Sequence, residues 1–228
     1  MEQSSLTQHA QKCLQALMRV WFDFERQLGR VPIVQKIEQG HLTQQDYQQL
    51  LLHMRQQVVE GARWISRGAS SFDRNHLEIR SMVIGHAKEE HRDYQVLEND
   101  YLNAGGELNT LHEQPRNIGT EALHSFLMYR ASQQNPVDLL GAMWIIEGLG
   151  EKMAASWAKQ IDVLLPEAPN ATQFMRYHGE NDEAHMEKFY HMLNIAVVDE
   201  DKVQRVITTA QVVARLYALQ LEEVSGEA

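Results

Sequence analysis

Apolar residues recur at steps of three and four along most of the chain, and no segment shows the alternation typical of a half-buried strand. This period predicts amphipathic helices. We expect them over about 6–27, 32–40, 44–67, 76–103, 120–132 and 136–164, with two more that begin after Asn170 and Asp199. No internal repeat or long linker divides the sequence. It therefore predicts an all-α bundle of seven to eight helices in a single domain over residues 1–228.

Capping residues mark several of the predicted boundaries. Thr43 and Asp199 each precede an apolar-periodic segment, and their side-chain oxygens are typical N-caps. Asn135 followed by Pro136 predicts a cap and a first-turn proline. Asn170 follows a proline-rich break and is expected to cap the seventh helix.

Three ionisable residues interrupt the apolar face of this seventh helix. His178, Asp182 and His185 follow one another at steps of four and three, so they project from one side. Phe174 and Leu193 project the same way, which directs the three polar groups toward the core. A buried polar group without a partner costs roughly 1–3 kcal/mol, and a charge costs more. A metal ion would satisfy all three groups at once.

Two other predicted helices show the same anomaly. In the fourth, His86, Glu90 and Asp93 lie within an apolar stripe that Glu89 flanks, so either Glu89 or Glu90 is expected to point inward. In the sixth, Glu147 lies within the apolar stripe next to two glycines. Because glycine is unfavourable inside a helix, these two indicate a close approach or space for a ligand.

Taken together, these side chains form a candidate metal site. Nitrogen and carboxylate ligands without cysteine suit iron, manganese or zinc, and iron with open positions permits O2 chemistry. Six or seven ligands exceed what one tetrahedral zinc ion needs. They match two ions about 3.5–4 Å apart that share a bridging carboxylate. We therefore predict two non-heme iron ions, with manganese as the other candidate, held by His86, Glu90, Asp93, Glu147, His178, Asp182 and His185.

Each of these residues alone also has a purely structural interpretation. A lone inward histidine is usually hydrogen-bonded within the core, and a lone glutamate usually pairs with an arginine. Glu121 and His124 have the Glu-x-x-His spacing of ferritin-like diiron bundles, but that architecture needs the motif twice and this chain has it once. We therefore expect Glu121 and His124 to be structural. Three helices with the same anomaly, by contrast, need a shared explanation.

Composition narrows the choice of partners and compartment. A formal charge of −10 argues against nucleic acid or an anionic membrane as the main partner. No run of 18 apolar residues predicts a membrane span, and the first residues do not resemble a secretory signal. The single cysteine, Cys13, excludes an internal disulfide and is expected to pack within the first helix. We expect a cytoplasmic protein that acts on a small-molecule substrate with O2, and a homodimer is compatible with its amphipathic terminal helices.

Four stretches between Pro32 and Leu193 carry a family resemblance. They are Gly40-His-Leu-Thr-Gln-Gln-Asp-Tyr47, Glu89-Glu90 followed by Asp100 and Gly105, Trp144-Ile-Ile-Glu147-Gly148, and His178-x3-Asp182-x2-His185. In these stretches the chain resembles the heme-oxygenase-like dimetal oxidases and oxygenases, which share a fold with the TenA-like proteins and the pyrroloquinoline quinone synthase. The resemblance implies the heme-oxygenase-like helical bundle.

The resemblance also implies metal-ligand roles for residues that match by type and position: Glu147, His178, Asp182 and His185. It implies that Glu147 bridges or spans the two ions. The fourth helix departs from the family pattern, which has a glutamate and, further along, a histidine. This chain has His86 and, seven residues later, Asp93. Either the two ligand types are exchanged, or Glu90 supplies the carboxylate and one metal site is altered.

These expectations lead to three hypotheses. The first is a diiron oxidase or oxygenase that activates O2 to oxidise a small organic substrate, in a pocket lined by Met143, Trp144 and Tyr177. The second is a metal-independent TenA-like enzyme or small-molecule-binding protein of cofactor metabolism. A thiaminase-like version would need a cysteine nucleophile deep in the bundle, where Cys13 is not expected. The third is a non-catalytic interaction protein that retains the bundle.

Overall fold

The computed structural model describes residues 6–225, and for residues 180–185 and 225 it describes the backbone alone. This part of the chain contains twelve α-helices and no β-strand, which confirms the all-α class, although the helices are more numerous than predicted. They are α1 Gln8–Leu28, α2 Pro32–Glu38, α3 Gln44–Val58, α4 Gly61–Ser71, α5 Leu77–Glu90, α6 Asp93–Asn103, α7 Leu108–Glu113, α8 Ile118–Ala131, α9 Leu139–Leu149, α10 Ala155–Leu164, α11 Gln173–Ala196 and α12 Glu200–Glu222.

The additional helices arise mainly because three predicted helices are interrupted. The segment 44–67 divides into α3 and α4, and the segment 76–103 divides into α5 and α6. The segment 136–164 contains a π-helical turn, Gly150–Ala154, between α9 and α10. Side-chain periodicity continues across each interruption, so it did not reveal them. The short helix α7 lies between the fourth and fifth predicted helices, where no helix was predicted.

Two of the four predicted caps are confirmed and two are wrong. Thr43 forms a capping box with Asp46, and Asp199 accepts a hydrogen bond from the Lys202 backbone N–H at 2.9 Å. Asn135 and Asn170 instead adopt positive φ angles of 49° and 62°, a conformation that asparagine tolerates in turns. The helices that they were expected to cap begin further along the chain, four residues after Asn135 at Leu139 and three residues after Asn170 at Gln173.

Helix α9 lies at the centre of the bundle, with ten of its eleven residues buried. On one side α9 packs against α12, and Gly141 allows this because the backbone of α12 occupies the place where a Cβ would lie. On the other side α9 packs against α11, which also contacts α5 and α6. The three helices predicted to carry ligands therefore meet inside the bundle.

The N-terminus of α11 is held by residues distant in sequence. The buried carboxylate of Asp100 accepts hydrogen bonds from the backbone N–H groups of Gln173 at 3.0 Å and Phe174 at 2.7 Å. The buried Tyr47 hydroxyl donates to the carbonyl of Ala171 at 2.6 Å. These bonds satisfy terminal backbone groups that would otherwise lack partners. They also position the helix turn that carries His178.

Within the described residues, no helix is both long and apolar enough to span a membrane.

Candidate functional site

Two triplets of metal-compatible side chains lie at the junction of α5, α6, α9 and α11. In the first, His86, Glu90 and Glu147 each place one ligand atom within 4.8 Å of the others. The Nε2 atom of His86 lies 3.1 Å from Oε1 of Glu147, and both side chains are buried. The inward polar residues of the fourth and sixth predicted helices thus lie next to each other, as the sequence predicts.

The second triplet contains Glu90, Asp93 and His178, again with ligand atoms within 4.8 Å of one another. Nε2 of His178 lies 3.5 Å from Oδ2 of Asp93. Phe174 packs against the His178 ring, with 4.4 Å between the ring centroids. Glu90 is the member common to both triplets. Among the described side chains only Glu90 belongs to both triplets, and the bridging role expected of Glu147 stays a prediction.

The alternative between Glu89 and Glu90 has a clear structural answer. Glu89 is exposed, and its carboxylate accepts a hydrogen bond from Lys188 at 2.6 Å. Glu90, the next residue, points inward to both triplets and lines the adjacent cavity. Neighbouring residues on a helix are about 100° apart, so the two side chains cannot share one face.

Asp182 and His185 complete the predicted ligand set, but their side chains lie outside the described residues. Both positions fall within α11, one and two turns after His178. Their assignment as ligands therefore stays a prediction. Five of the seven predicted ligands have described side chains, and all five belong to the two triplets.

The electrostatics of the site centre on Glu90. Burial, followed by the charge of Glu147, raises the pKa of the Glu90 carboxyl to about 7, against the lowering effect of His86 and His178. Ionising Glu90 beside two other carboxylates is therefore unfavourable without added positive charge. A bound cation would supply that charge, which makes the donor set chemically suited to a metal.

Both helix interruptions at the site lie next to residues of the two triplets. Between α5 and α6, the ring of His91 hydrogen-bonds to the carbonyl of Lys88 at 2.6 Å, and this break lies between Glu90 and Asp93. The π-helical turn begins three residues after Glu147. Such turns are frequent at functional sites, because the added residue redirects neighbouring side chains.

The glycines beside Glu147 have the two roles that the sequence left open. A Cβ at Gly148 would lie 3.0 Å from the ring of Trp21, so this glycine permits a close approach. Gly150 lines the cavity next to the triplets. Gly148 therefore allows close packing, and Gly150 borders a space next to the triplets.

A cavity of about 100 Å³ adjoins both triplets. Glu90, Glu147 and His178 lie in its wall, and the remaining wall is mainly apolar. The other lining residues come from α3, α4, α9, α10, α11, α12 and adjoining turns: Met54, Gln57, Val58, Gly61, Trp64, Ile65, Ile146, Leu149, Gly150, Ala154, Trp157, Phe174, Met175 and Tyr217. Such a cavity can hold a small apolar molecule in contact with residues of the two triplets.

The pocket residues predicted from the sequence do not line this cavity. Met143 lines a smaller apolar cavity of about 40 Å³ on the side of His86. The buried Trp144 indole donates a hydrogen bond to the Leu17 carbonyl at 3.0 Å, and Tyr177 is 42% exposed. Residues next to a predicted ligand in the sequence therefore do not line the cavity, because successive residues of a helix project from different faces.

Three polar residues of the cavity wall were not identified from the sequence: Gln57, Trp157 and Tyr217. Trp157 and Tyr217 are large and mostly apolar, like other core residues, and differ from them only in carrying one polar side-chain atom each. The cavity is formed by helices far apart in sequence, so no local pattern indicates these positions.

The residues that were interpreted as structural lie outside the two triplets. Glu121 forms an ion pair with Arg116 at 2.9 Å, away from the two triplets. Cys13 is fully buried in α1, and burial raises the pKa of its thiol to about 12. Such a thiol is almost entirely protonated at neutral pH and is a poor nucleophile.

Comparisons with known proteins support the predicted fold. A family model described as "Iron-containing redox enzyme" matches residues 72–218. A structure of a domain of unknown function with a heme oxygenase-like fold, from Shewanella denitrificans OS217, is 20% identical, with a TM-score of 0.85 over 92% of this chain and 90% of that one. A TenA homolog from Pseudomonas syringae pv. tomato is 16% identical, with a TM-score of 0.76 over 100% and 96%.

A TenA homologue from P. horikoshii OT3 is 13% identical, with a TM-score of 0.67 over 93% of this chain and 97% of that one. No curated protein matches the sequence. At these identities the structural likenesses show the fold alone. They confirm the predicted heme-oxygenase-like helical bundle.

Proposed function

We propose that this chain, which belongs to the family of iron-containing redox enzymes, is a non-heme diiron oxidase or oxygenase that uses O2 to oxidise a small organic substrate. The observation that carries the proposal is the pair of triplets that share Glu90. Two triplets with one common carboxylate match the ligand arrangement of paired metal ions. Manganese is the other metal that this donor set suits.

The described residues would divide between the two ions. His86 and Glu147 would serve the first ion, Asp93 and His178 the second, and Glu90 both. Asp182 and His185 are proposed to complete the shells from α11. Iron ions with open coordination positions would supply the activation of O2 for oxidation of the substrate.

The protein would contribute orientation and exclusion of water. The ring of Phe174 restricts rotation of His178, and the hydrogen bonds of Asp100 hold the start of α11. The apolar wall of the cavity would keep a substrate next to the ligands in a poorly hydrated space. Both features favour oxidation of the bound substrate over side reactions.

Anaerobic loading with Fe(II), removal of unbound metal and metal analysis test this proposal. We expect about two iron ions per chain in the wild-type protein and an absorbance change on addition of O2. Glu90→Gln is expected to retain less than one, because it removes the shared carboxylate. Glu89→Gln is the matched control, since Glu89 is adjacent in sequence but exposed. A wild-type protein that binds no iron tightly and shows no absorbance change would reject the proposal.

The second candidate is a metal-independent TenA-like enzyme or small-molecule-binding protein of cofactor metabolism. It is favoured by the likeness to two TenA homologues and by the presence of a cavity beside the polar cluster. In that case the histidines and carboxylates would hydrogen-bond a polar ligand directly. A thiaminase-type nucleophile is not supported, because Cys13 is buried in α1 and does not line the cavity. An unchanged activity after removal of all iron would favour this candidate.

A further inference from the structure

The smaller cavity beside His86 has no part in the function proposed above. It has a volume of about 40 Å³ and is lined by residues of α4, α5, α9, α11 and the adjoining turns. Apolar side chains form its wall together with His86 and Trp64, and every lining residue except Val83 is buried. The cavity is therefore an apolar space within the bundle that has a predicted metal ligand in its wall.

The size of this cavity restricts what it can hold. About 10–15 Å³ is enough for one molecule of the size of water, whereas benzene is known to occupy an apolar cavity of about 150 Å³. A cavity of about 40 Å³ therefore has room for a very small molecule and not for an organic ring.

The polarity of the wall restricts the occupant further. A buried water molecule typically makes about two to four hydrogen bonds to polar groups. Among the described residues that line the cavity, His86 and Trp64 carry the only side-chain nitrogen or oxygen atoms. Apolar cavities of this kind stay dry and take up apolar molecules instead. A small apolar molecule therefore fits this wall better than water does.

The two cavities reach the first triplet through different side chains. Trp64 and Ile65 line both cavities, so the cavities are neighbours with a common part of the wall. The larger cavity reaches the triplet at Glu90 and Glu147, and the smaller one reaches it at His86. Nε2 of His86 lies only 3.1 Å from Oε1 of Glu147. A substrate in the larger cavity would therefore leave the smaller cavity open beside the same triplet.

We propose that the smaller cavity holds O2 beside the first triplet while an organic substrate occupies the larger cavity. O2 is very small, uncharged and more soluble in apolar media than in water, which matches both the volume and the wall of the cavity. The use of this O2 for oxidation rests on the proposed function. Occupation of the cavity by O2 does not, and the metal-free protein is sufficient to test it.

The position of O2 can be measured directly, because O2 is paramagnetic and enhances the relaxation of nearby nuclei. Met143 and Met192 both line the smaller cavity, and isotope-labelled methionine methyl groups give separate NMR signals. The full chain without metal is measured under O2 and under N2 at equal pressure. We expect stronger relaxation enhancement at Met143 and Met192 than at the exposed Met18. Without a site for O2 inside the bundle, the exposed methyl group would be affected most.

Variants that fill the cavity test whether this enhancement comes from O2 within it. Val83→Ile and Val137→Ile each add one methylene group to the wall and should each reduce the enhancement at Met143 and Met192. The double variant should lose it. Its unfolding temperature should equal that of wild type or be higher, because the added groups occupy empty space. If the double variant is less stable, the two single variants decide the result.

Val163→Ile is the control variant, since Val163 is exposed on α10 and the same methylene group is added outside the cavity. It should leave the enhancement at both methionines unchanged. After loading with Fe(II), the double variant should bind as much iron as wild type, whereas its absorbance change on addition of O2 should be slower.

Two results would overturn the proposal. One is an enhancement at Met143 and Met192 that is weaker than at Met18 or that persists unchanged in the filled variants. The other is an iron-loaded double variant that reacts with O2 as fast as wild type. A protein that takes up O2 in the cavity but binds no iron rejects the diiron function and keeps the cavity as a site for O2. A protein that binds iron and reacts with O2, without O2 in the cavity, rejects the present proposal alone.

Discussion

The bundle contains two buried acidic sites, one at Asp138 and one around Glu90, and their negative charge has different partners. Asp138, at the start of α9, is fully buried between Arg130 Nε at 2.6 Å and Arg205 Nη2 at 2.7 Å, with the Thr209 hydroxyl at 3.3 Å. The cluster around Glu90 combines three carboxylates with the imidazoles of His86 and His178. The first cluster joins α8, α9 and α12, and the second joins α5, α6, α9 and α11.

The difference lies in the nature of the positive partner. A guanidinium is permanently charged and donates in a fixed geometry, so the Asp138 cluster is complete as the chain folds. An imidazole is neutral or charged near neutral pH and can offer a nitrogen lone pair to a metal. The Glu90 cluster is therefore compatible with the addition of a cation, whereas the Asp138 cluster already contains two. The proposed function therefore rests on the cluster whose partners are histidines, and the Asp138 cluster serves as its structural counterpart.

Removal of the Asp138 carboxylate should have the largest effect on folding. Asp138→Ala is expected to lower the free energy of unfolding by about 3–5 kcal/mol, because it leaves two partly buried guanidinium groups without their anion. Urea unfolding measures this. Asp23→Asn is the control, since the Asp23–Arg26 pair is largely exposed and should change stability by less than about 0.5 kcal/mol. Similar small effects for both variants would contradict a structural role for Asp138.

Asp100 sharpens the comparison, because its partners are backbone N–H groups and carry no full charge. Burial raises the pKa of Asp100 to about 6, although the N–H groups of Phe174 and Gln173 act in the opposite direction. The unfolded pKa is about 3.9. The folded state therefore holds this proton more tightly. Its contribution to stability is fully present below about pH 4 and is lost as the pH rises to about 6.

Asp100→Asn removes this titration and keeps an acceptor oxygen. The stability of the variant relative to wild type is therefore expected to increase by about 1–3 kcal/mol between pH 4 and pH 6.5. Urea unfolding at several pH values gives this difference, and the titrations of other groups cancel in it. A difference that does not change with pH would show that Asp100 keeps an ordinary pKa.

Much of the fold could be predicted because burial imposes a helical period on the sequence. The all-α class, the inward stripes and the capping residues Thr43 and Asp199 follow from local physics. The break at His91 does not, since the apolar period continues across it and the hydrogen bond beside it, from the His91 ring to the Lys88 carbonyl, has no sequence signature. The true cap of α11 could not be found locally either, because Asp100 lies more than 70 residues from the helix it caps.

The candidate site was predictable to the extent that its residues violate the apolar period. His86, Glu90 and Glu147 are conspicuous in the sequence because ionisable groups are rare within such stripes. Trp157 and Tyr217 violate nothing, since a large aromatic residue is expected in a core. Their place in the cavity wall appears only when the fold brings together helices that are far apart in sequence.

The smallest predicted effect on folding separates the two clusters most directly. At pH 8, where Glu90 is mostly ionised, Glu90→Gln is expected to stabilise the metal-free protein by about 1 kcal/mol, because it removes one of three crowded carboxylates. With Fe(II) the order should reverse, since the wild-type protein gains more stability from binding the ion than the variant does. Thermal unfolding with and without Fe(II) measures both, and Glu89→Gln should show neither change. If Glu90→Gln were instead less stable in both conditions, Glu90 would resemble Asp138, and its cluster would be a structural ion-pair network that needs no metal.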